Sequence, residues 1–121
     1  MRGGLGKDKL SGGAANDRFV FDTKLSKTNI DTVADFKHDT DLIVLDRDIF
    51  TKLGGDLKPG QFYSKAGAAQ AFDRSDRIIY DPKSGKLFYD DDGSKRGGHD
   101  AVHFATLAGH PKLDFGDFDI V

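Results

Sequence analysis

The chain has 121 residues, 18 basic and 20 acidic side chains, and no cysteine. That length corresponds to one domain, residues 1–121, with a modest core, and a net charge of −2 with no basic stripe argues against nucleic acid as the main partner. No run is apolar enough to predict a membrane span, Arg2 leads into glycines rather than the apolar run of a signal peptide, and the absence of cysteine is compatible with secretion.

The first predicted element is a repeat. Gly3-Gly4-Leu5-Gly6-Lys7-Asp8-Lys9-Leu10-Ser11 fits a nine-residue unit, G-G-x-G-x-D-x-U-x, with U a large apolar residue. Gly12-Gly13-Ala14-Ala15-Asn16-Asp17-Arg18-Phe19-Val20 fits it again, with Ala15 at the third glycine. The first six residues of each unit predict a turn, where glycine permits positive φ and lets carbonyls face inward. The last three predict a short strand with Leu10 or Phe19 pointing in. This pattern belongs to calcium-binding parallel β-rolls. Ca²⁺ takes about six to eight oxygen ligands, more than one turn supplies, so stacked turns share each ion. Two repeats give half-sites, which predicts further repeats ahead of Met1. A glycine-rich linker is the alternative, but a linker has no reason to repeat an Asp and an apolar residue at fixed offsets. Ala15 at positive φ would cost roughly 1 kcal/mol or more, so the second turn is predicted to be the weaker.

Arg18 to Asp22 leaves the repeat as a strand, and residues 23–30 read as a polar loop. Residues 31–36 alternate, with Val33 to one face between the carboxylates of Asp31 and Asp35. Asp41-Leu42-Ile43-Val44-Leu45-Asp46 is the most apolar run and predicts a buried strand. Residues 48–53 predict one or two helical turns ended by Gly54-Gly55. A short strand is expected around Gln61-Phe62-Tyr63. Arg77-Ile78-Ile79-Tyr80, the turn Asp81-Pro82-Lys83-Ser84-Gly85, and Lys86-Leu87-Phe88-Tyr89 predict a hairpin closed by a type I turn with a bulge. Residues 90–98 form an acidic loop, 101–107 another strand, and 114–121 the closing segment. The fold class is therefore mostly β: a short parallel β-roll continuing into an antiparallel sheet or sandwich with one or two short helices. All 20 acidic residues are Asp, which agrees with β structure, turns and oxygen-rich metal sites, since Glu is the better helix former.

Taken together, the two nonapeptides, the Phe19-Val20-Phe21 that follows, Asp31-Thr32-Val33-Ala34-Asp35-Phe36, Asp41 to Leu45, the hairpin and the ending Asp117-Phe118-Asp119-Ile120-Val121 resemble the C-terminal region of RTX (repeats-in-toxin) proteins. These hemolysin-type calcium-binding proteins include the tails of serralysin-type proteases. The resemblance implies three parts: β-roll repeats at 3–20, a β-rich cap at 21–109 and a C-terminal secretion signal at 110–121. It implies a secreted, extracellular bacterial protein exported by a type I ABC transporter apparatus that reads the uncleaved end, where Asp119, Ile120 and Val121 match an acidic residue followed by apolar ones. A last β-strand is the simpler reading of those residues, and both can hold. The resemblance also implies a calcium switch, since carboxylates crowded in turns repel until a cation neutralises them and binding then becomes folding free energy.

The expected calcium ligands are Asp8 and Asp17 with the carbonyls of Gly3, Gly6, Gly12 and Ala15. Asp31 and Asp35, on one strand face, either complete the last half-sites or are solvated. Asp90, Asp92 and Asp100 resemble a calcium loop but lack the Glu of an EF-hand, and a solvated hairpin end is the competing reading. His99 and His103 have the spacing of a zinc pair without its Glu, and read as surface histidines. No serine sits in a nucleophile-elbow context, and no catalytic constellation is present, so the chain reads as an accessory module rather than an enzyme. The alternative function is a carbohydrate- or surface-binding module contacting extracellular polysaccharide, which exposure of Tyr63, Tyr80 and Tyr89 on one sheet face would support and burial of all three would count against.

Overall fold

The described residues form nine short strands: β1 Lys9–Leu10, β2 Arg18–Phe21, β3 Asp31–Val33, β4 Leu42–Leu45, β5 Phe62–Ser64, β6 Ile78–Asp81, β7 Lys86–Tyr89, β8 Val102–Leu107 and β9 Phe118–Ile120. The structure is a computed structural model and describes residues 9–11, 17–22, 30–37, 40–50, 53, 57, 59–67, 76–90, 101–109 and 111–121. The fold is mostly β, as the composition and alternation lead one to expect. The helical elements among the described residues are single 3-10 turns at Pro59–Gln61 and Phe115–Asp117.

The first four strands alternate between two sheets. β1 and β3 lie in a six-stranded sheet of order β1-β3-β8-β7-β6-β5, and β2 and β4 in a three-stranded sheet of order β2-β4-β9. All neighbours among β1, β3 and β8, and among β2, β4 and β9, are parallel. Each strand therefore stacks on the strand two before it, and the chain winds back and forth between the sheets. This winding does not stop at the two repeats but extends through Leu45. β8 and β9, from far along the chain, then add the last parallel strand to each sheet. The antiparallel part is confined to β6, β7 and β8, and β5 joins β6 in parallel. The expected antiparallel continuation is thus only part of a mixed architecture.

Register explains the core. Phe19 pairs with Ile43 and Phe21 with Leu45, and these pair in turn with Phe118 and Ile120. Leu10, Val33 and Leu107 form the matching ladder on the other sheet. Phe19, Val33, Ile43, Leu45 and Leu107 are completely buried, each worth roughly 1.5–3 kcal/mol relative to exposure. The three-stranded sheet ends at β9, whereas the other sheet continues for three more strands. Phe50, Leu53 and Leu57, all buried, belong to the same core. Phe50 packs edge-on against Tyr89 at 5.1 Å and Phe104 at 5.0 Å between ring centroids. The helix expected from residue 48 is a single turn among the described residues. The Asp46 carboxylate caps it through the amide of Asp48 at 2.8 Å, and the amide of Phe50 donates to the Asp46 carbonyl at 2.8 Å.

The hairpin forms where expected. Gly85 takes φ +80° and its amide donates to the Asp81 carbonyl at 2.7 Å, the left-handed position that makes glycine the preferred residue there. The Asp81 carboxylate organises this turn: it accepts from the amides of Gly67 at 2.7 Å and Lys83 at 2.9 Å, and from the Ser84 hydroxyl at 2.7 Å. Those bonds, the Gly67 amide foremost, hold its carboxyl below the usual carboxylate range.

Candidate metal centre

Asp17 is the carboxylate of the second nonapeptide and directly precedes β2. Its backbone is bound on both sides to the next strand of its sheet. The amide donates to Oδ1 of Asp41 at 3.0 Å, and the carbonyl accepts from the amide of Leu42 at 2.8 Å. Arg18 pairs with Leu42, so Asp17 before β2 and Asp41 before β4 occupy equivalent positions.

The two carboxylates differ in what they touch. Asp41 is 1% exposed, and its second oxygen, Oδ2, accepts from the amide of Lys37 at 3.0 Å. An ionised carboxylate offers acceptors only, and here two backbone donors meet it, bonds stronger than their neutral counterparts. Asp41 is therefore a structural clamp between the turn at 37–41 and the start of β2. Oδ2 of Asp17, by contrast, is shielded from solvent and has no hydrogen-bond partner among the described residues. A carboxylate oxygen shielded from water is satisfied by a hydrogen-bond donor or a cation. A hard cation would supply that partner, and an anionic oxygen is the donor type Ca²⁺ prefers. Asp17 thus fits the ion the repeat pattern implies.

The remaining expected ligands are distributed as follows. Gly3, Gly6, Asp8, Gly12 and Ala15 lie outside the described residues, as do Asp92, His99 and Asp100. Among the described residues no group of three or more His, Cys, Asp or Glu side chains gathers to hold a metal. Asp31 and Asp35 do not share a strand face as expected, because β3 ends at Val33 and residues 34 and 35 form a bend. Asp31 is buried at the start of β3, beside Ala105. Asp35 accepts from the Ser11 hydroxyl at 2.9 Å, tying the end of β1 to the end of β3. Asp90 is also buried, not solvated, and its amide donates to the Arg77 carbonyl at 2.8 Å.

His103 sits on β8, with Nε2 2.9 Å from both the Ala105 carbonyl and the Thr106 hydroxyl and its ring 5.3 Å from that of Phe88. Tyr80 and Tyr89 belong to the core, at 1% and 4% exposure. Burial, with the neighbouring Asp81 charge second, pushes the Tyr80 hydroxyl up to about 12, and that hydroxyl donates to the Pro111 carbonyl at 2.6 Å. Tyr63 alone of the three is partly exposed, so the three tyrosines do not share one exposed face.

The C-terminal residues are built into the three-stranded sheet. Asp119 receives Arg18 Nη2 at 2.6 Å, Ile120 is 7% exposed, and the amide of Val121 donates to the Leu45 carbonyl at 3.0 Å. Two residues the sequence reading passed over, Asp41 and Arg18, thus organise this region. The available signal for Asp41 was the same acid-then-apolar strand start in Asp17-Arg18-Phe19-Val20-Phe21 and Asp41-Leu42-Ile43-Val44-Leu45.

No protein-family model matches the chain, and comparison with curated proteins finds no match. Among the described residues no helix is long and apolar enough to cross a membrane.

Proposed function

We propose that the chain is a calcium-binding module of a secreted RTX-type protein, in which ion binding drives folding after type I export of an attached upstream domain. The observation that carries this reading is the buried, unpartnered Oδ2 of Asp17 at the sixth position of a calcium nonapeptide. The alternation of the first four strands between two sheets supports it, because it sets strands two apart in the chain side by side and parallel, the stacking a β-roll requires. Asp8 with the carbonyls of Gly3 and Gly6, and Asp17 with those of Gly12 and Ala15, would each supply half of a cation site, and the bound ion would neutralise the turn carboxylates and add its binding free energy to folding. The role is structural, and catalysis belongs to other parts of the protein.

The test is a far-UV circular dichroism titration with Ca²⁺ after EDTA stripping, with Mg²⁺ as control. The expected result is β signal that appears with Ca²⁺ and not with Mg²⁺, and a titration midpoint raised in Asp17→Asn. A chain already folded in EDTA and unchanged by Ca²⁺ would refute the proposal and bring the polysaccharide-binding alternative forward.

A further inference from the structure

The outer face of the six-stranded sheet carries a pattern that ion binding leaves unused. On β1, β3, β8 and β7 the apolar side chains Leu10, Val33, Leu107 and Leu87 lie in the core, so Lys9, Thr32, Thr106 and Lys86, one residue away on each strand, point outward. Register sets these four in one row: Lys9 beside Thr32, Thr32 beside Thr106, and Thr106 beside Lys86. An exposed lysine therefore stands at each end, with two half-buried hydroxyls between, over about 14 Å at the usual strand spacing. Neither lysine has an ion-pair partner among the described residues.

A β-bulge places two rings beside this row. Leu87 pairs with Ala105 but Phe88 with His103, so β8 inserts one extra residue there. Phe104 and Ala105 both turn inward, at 3% and 0% exposure, and His103 is re-aimed outward, its ring 5.3 Å from that of Phe88. The Ala105 carbonyl only accepts, so Nε2 of His103, 2.9 Å away, carries a proton, and the same nitrogen lies 2.9 Å from the Thr106 hydroxyl. Beyond Phe88 comes Ile79, which is completely buried, so the open stretch ends at Phe88. The carboxylates at the margins are engaged elsewhere: Asp81 by Gly67, Lys83 and Ser84, and Asp35 by Ser11, while Asp90 is buried. The face is thus locally positive on a chain whose net charge is −2.

The geometry points to a binding face for an acidic polysaccharide, a chain of uronate sugars lying across β7, β8, β3 and β1. Aromatic rings take the C–H face of a sugar while a few placed polar groups fix its orientation. Strands about 4.8 Å apart match an extended glycan that advances one sugar per strand. Its carboxylates meet Lys86 and Lys9, its hydroxyls meet Thr106 and Thr32, and one ring stacks at Phe88 and His103. An acidic peptide would satisfy the lysines and leave the rings and hydroxyls unmatched. This inference goes beyond the calcium reading and does not rest on it.

The experiment is calorimetric titration of the full chain in Ca²⁺ with hexagalacturonate, with its methyl ester and hexa-aspartate as the comparison ligands. The expected result is binding of hexagalacturonate that the neutral ester and the peptide do not reproduce. Lys86→Ala and Lys9→Ala should each raise Kd roughly two- to fivefold, and Phe88→Ala roughly tenfold, whereas Lys112→Ala, outside the sheet, should leave it unchanged. Both lysines are exposed, so their variants carry the test should Phe88→Ala fail to fold. No binding of hexagalacturonate, or binding that neither lysine variant weakens, overturns the proposal. Equal binding of hexa-aspartate overturns the glycan in favour of an acidic peptide, and equal binding of the methyl ester overturns the role of charge.

Discussion

Replacement of Asp41 tests the structural account most locally. Its carboxylate holds the amides of Asp17 and Lys37, each at 3.0 Å, from a position 1% exposed. A hydrogen bond to a charged acceptor contributes about 1.5–3 kcal/mol. Lys37 is exposed, so water replaces part of its lost bond, whereas the Asp17 amide bond is partly buried. Asp41→Ala should therefore destabilise the chain by about 2–4 kcal/mol, a large share of the roughly 6–18 kcal/mol expected for a domain of this size. Asp41→Asn keeps one acceptor and turns an NH₂ toward a backbone N–H, so it should cost nearly as much. The assay is urea unfolding at saturating Ca²⁺. With a slope of about 1–3 kcal/mol per molar urea, the midpoint should fall by on the order of 1 M. A loss below about 0.5 kcal/mol for Asp41→Ala would refute the clamp.

Two further outcomes follow from Asp81 and Tyr80. The Asp81 carboxyl is depressed in the folded chain from its ordinary 3.8, so its contribution is present above pH 3.8 and is lost as pH falls below that value through the folded pKa. The stability difference between the native chain and Asp81→Asn, measured by urea unfolding, should shrink over that acid range; a difference constant from pH 7 to pH 2 would contradict the turn assignment. Tyr80 has the opposite sign, because its hydroxyl is raised from 10.0 to about 12. Its contribution is complete below pH 10 and is lost between pH 10 and 12, and an absorbance titration at alkaline pH should show one phenol ionising late, absent in Tyr80→Phe.

Local chemistry made some of this fold legible and left the rest unreadable. The hairpin from residue 78 to 89 was visible because Pro82 and Gly85 have turn roles that their own backbones enforce. The nonapeptides announced a strand at Phe19 and a carboxylate at Asp17. Nothing local marks β8 as the partner of β3, or β9 as the partner of β4, since those parallel pairings join segments more than 70 residues apart. The side taken by Tyr80 was equally hidden: Ile78, Ile79 and Tyr80 are all large, so the run carries no alternation to choose a face, and only the register with β7 turns Tyr80 and Tyr89 inward. Asp31 and Asp35 misled because their spacing suits a strand that the bend after Val33 cuts short. Asp41 looked like the polar boundary of an apolar run, and only the stacking of β4 on β2 gives its carboxylate two amides to hold.

The measurement that bears most directly on the central claim is amide hydrogen exchange of the full chain in Ca²⁺ and in EDTA. The amides to follow are those that tie the three-stranded sheet together: Asp17 and Leu42 at one end, Asp46 and Val121 at the other. If a cation on Asp17 organises that sheet, these amides are protected in Ca²⁺ and lose protection together when it is removed. Equal protection of all four in Ca²⁺ and EDTA would contradict the account.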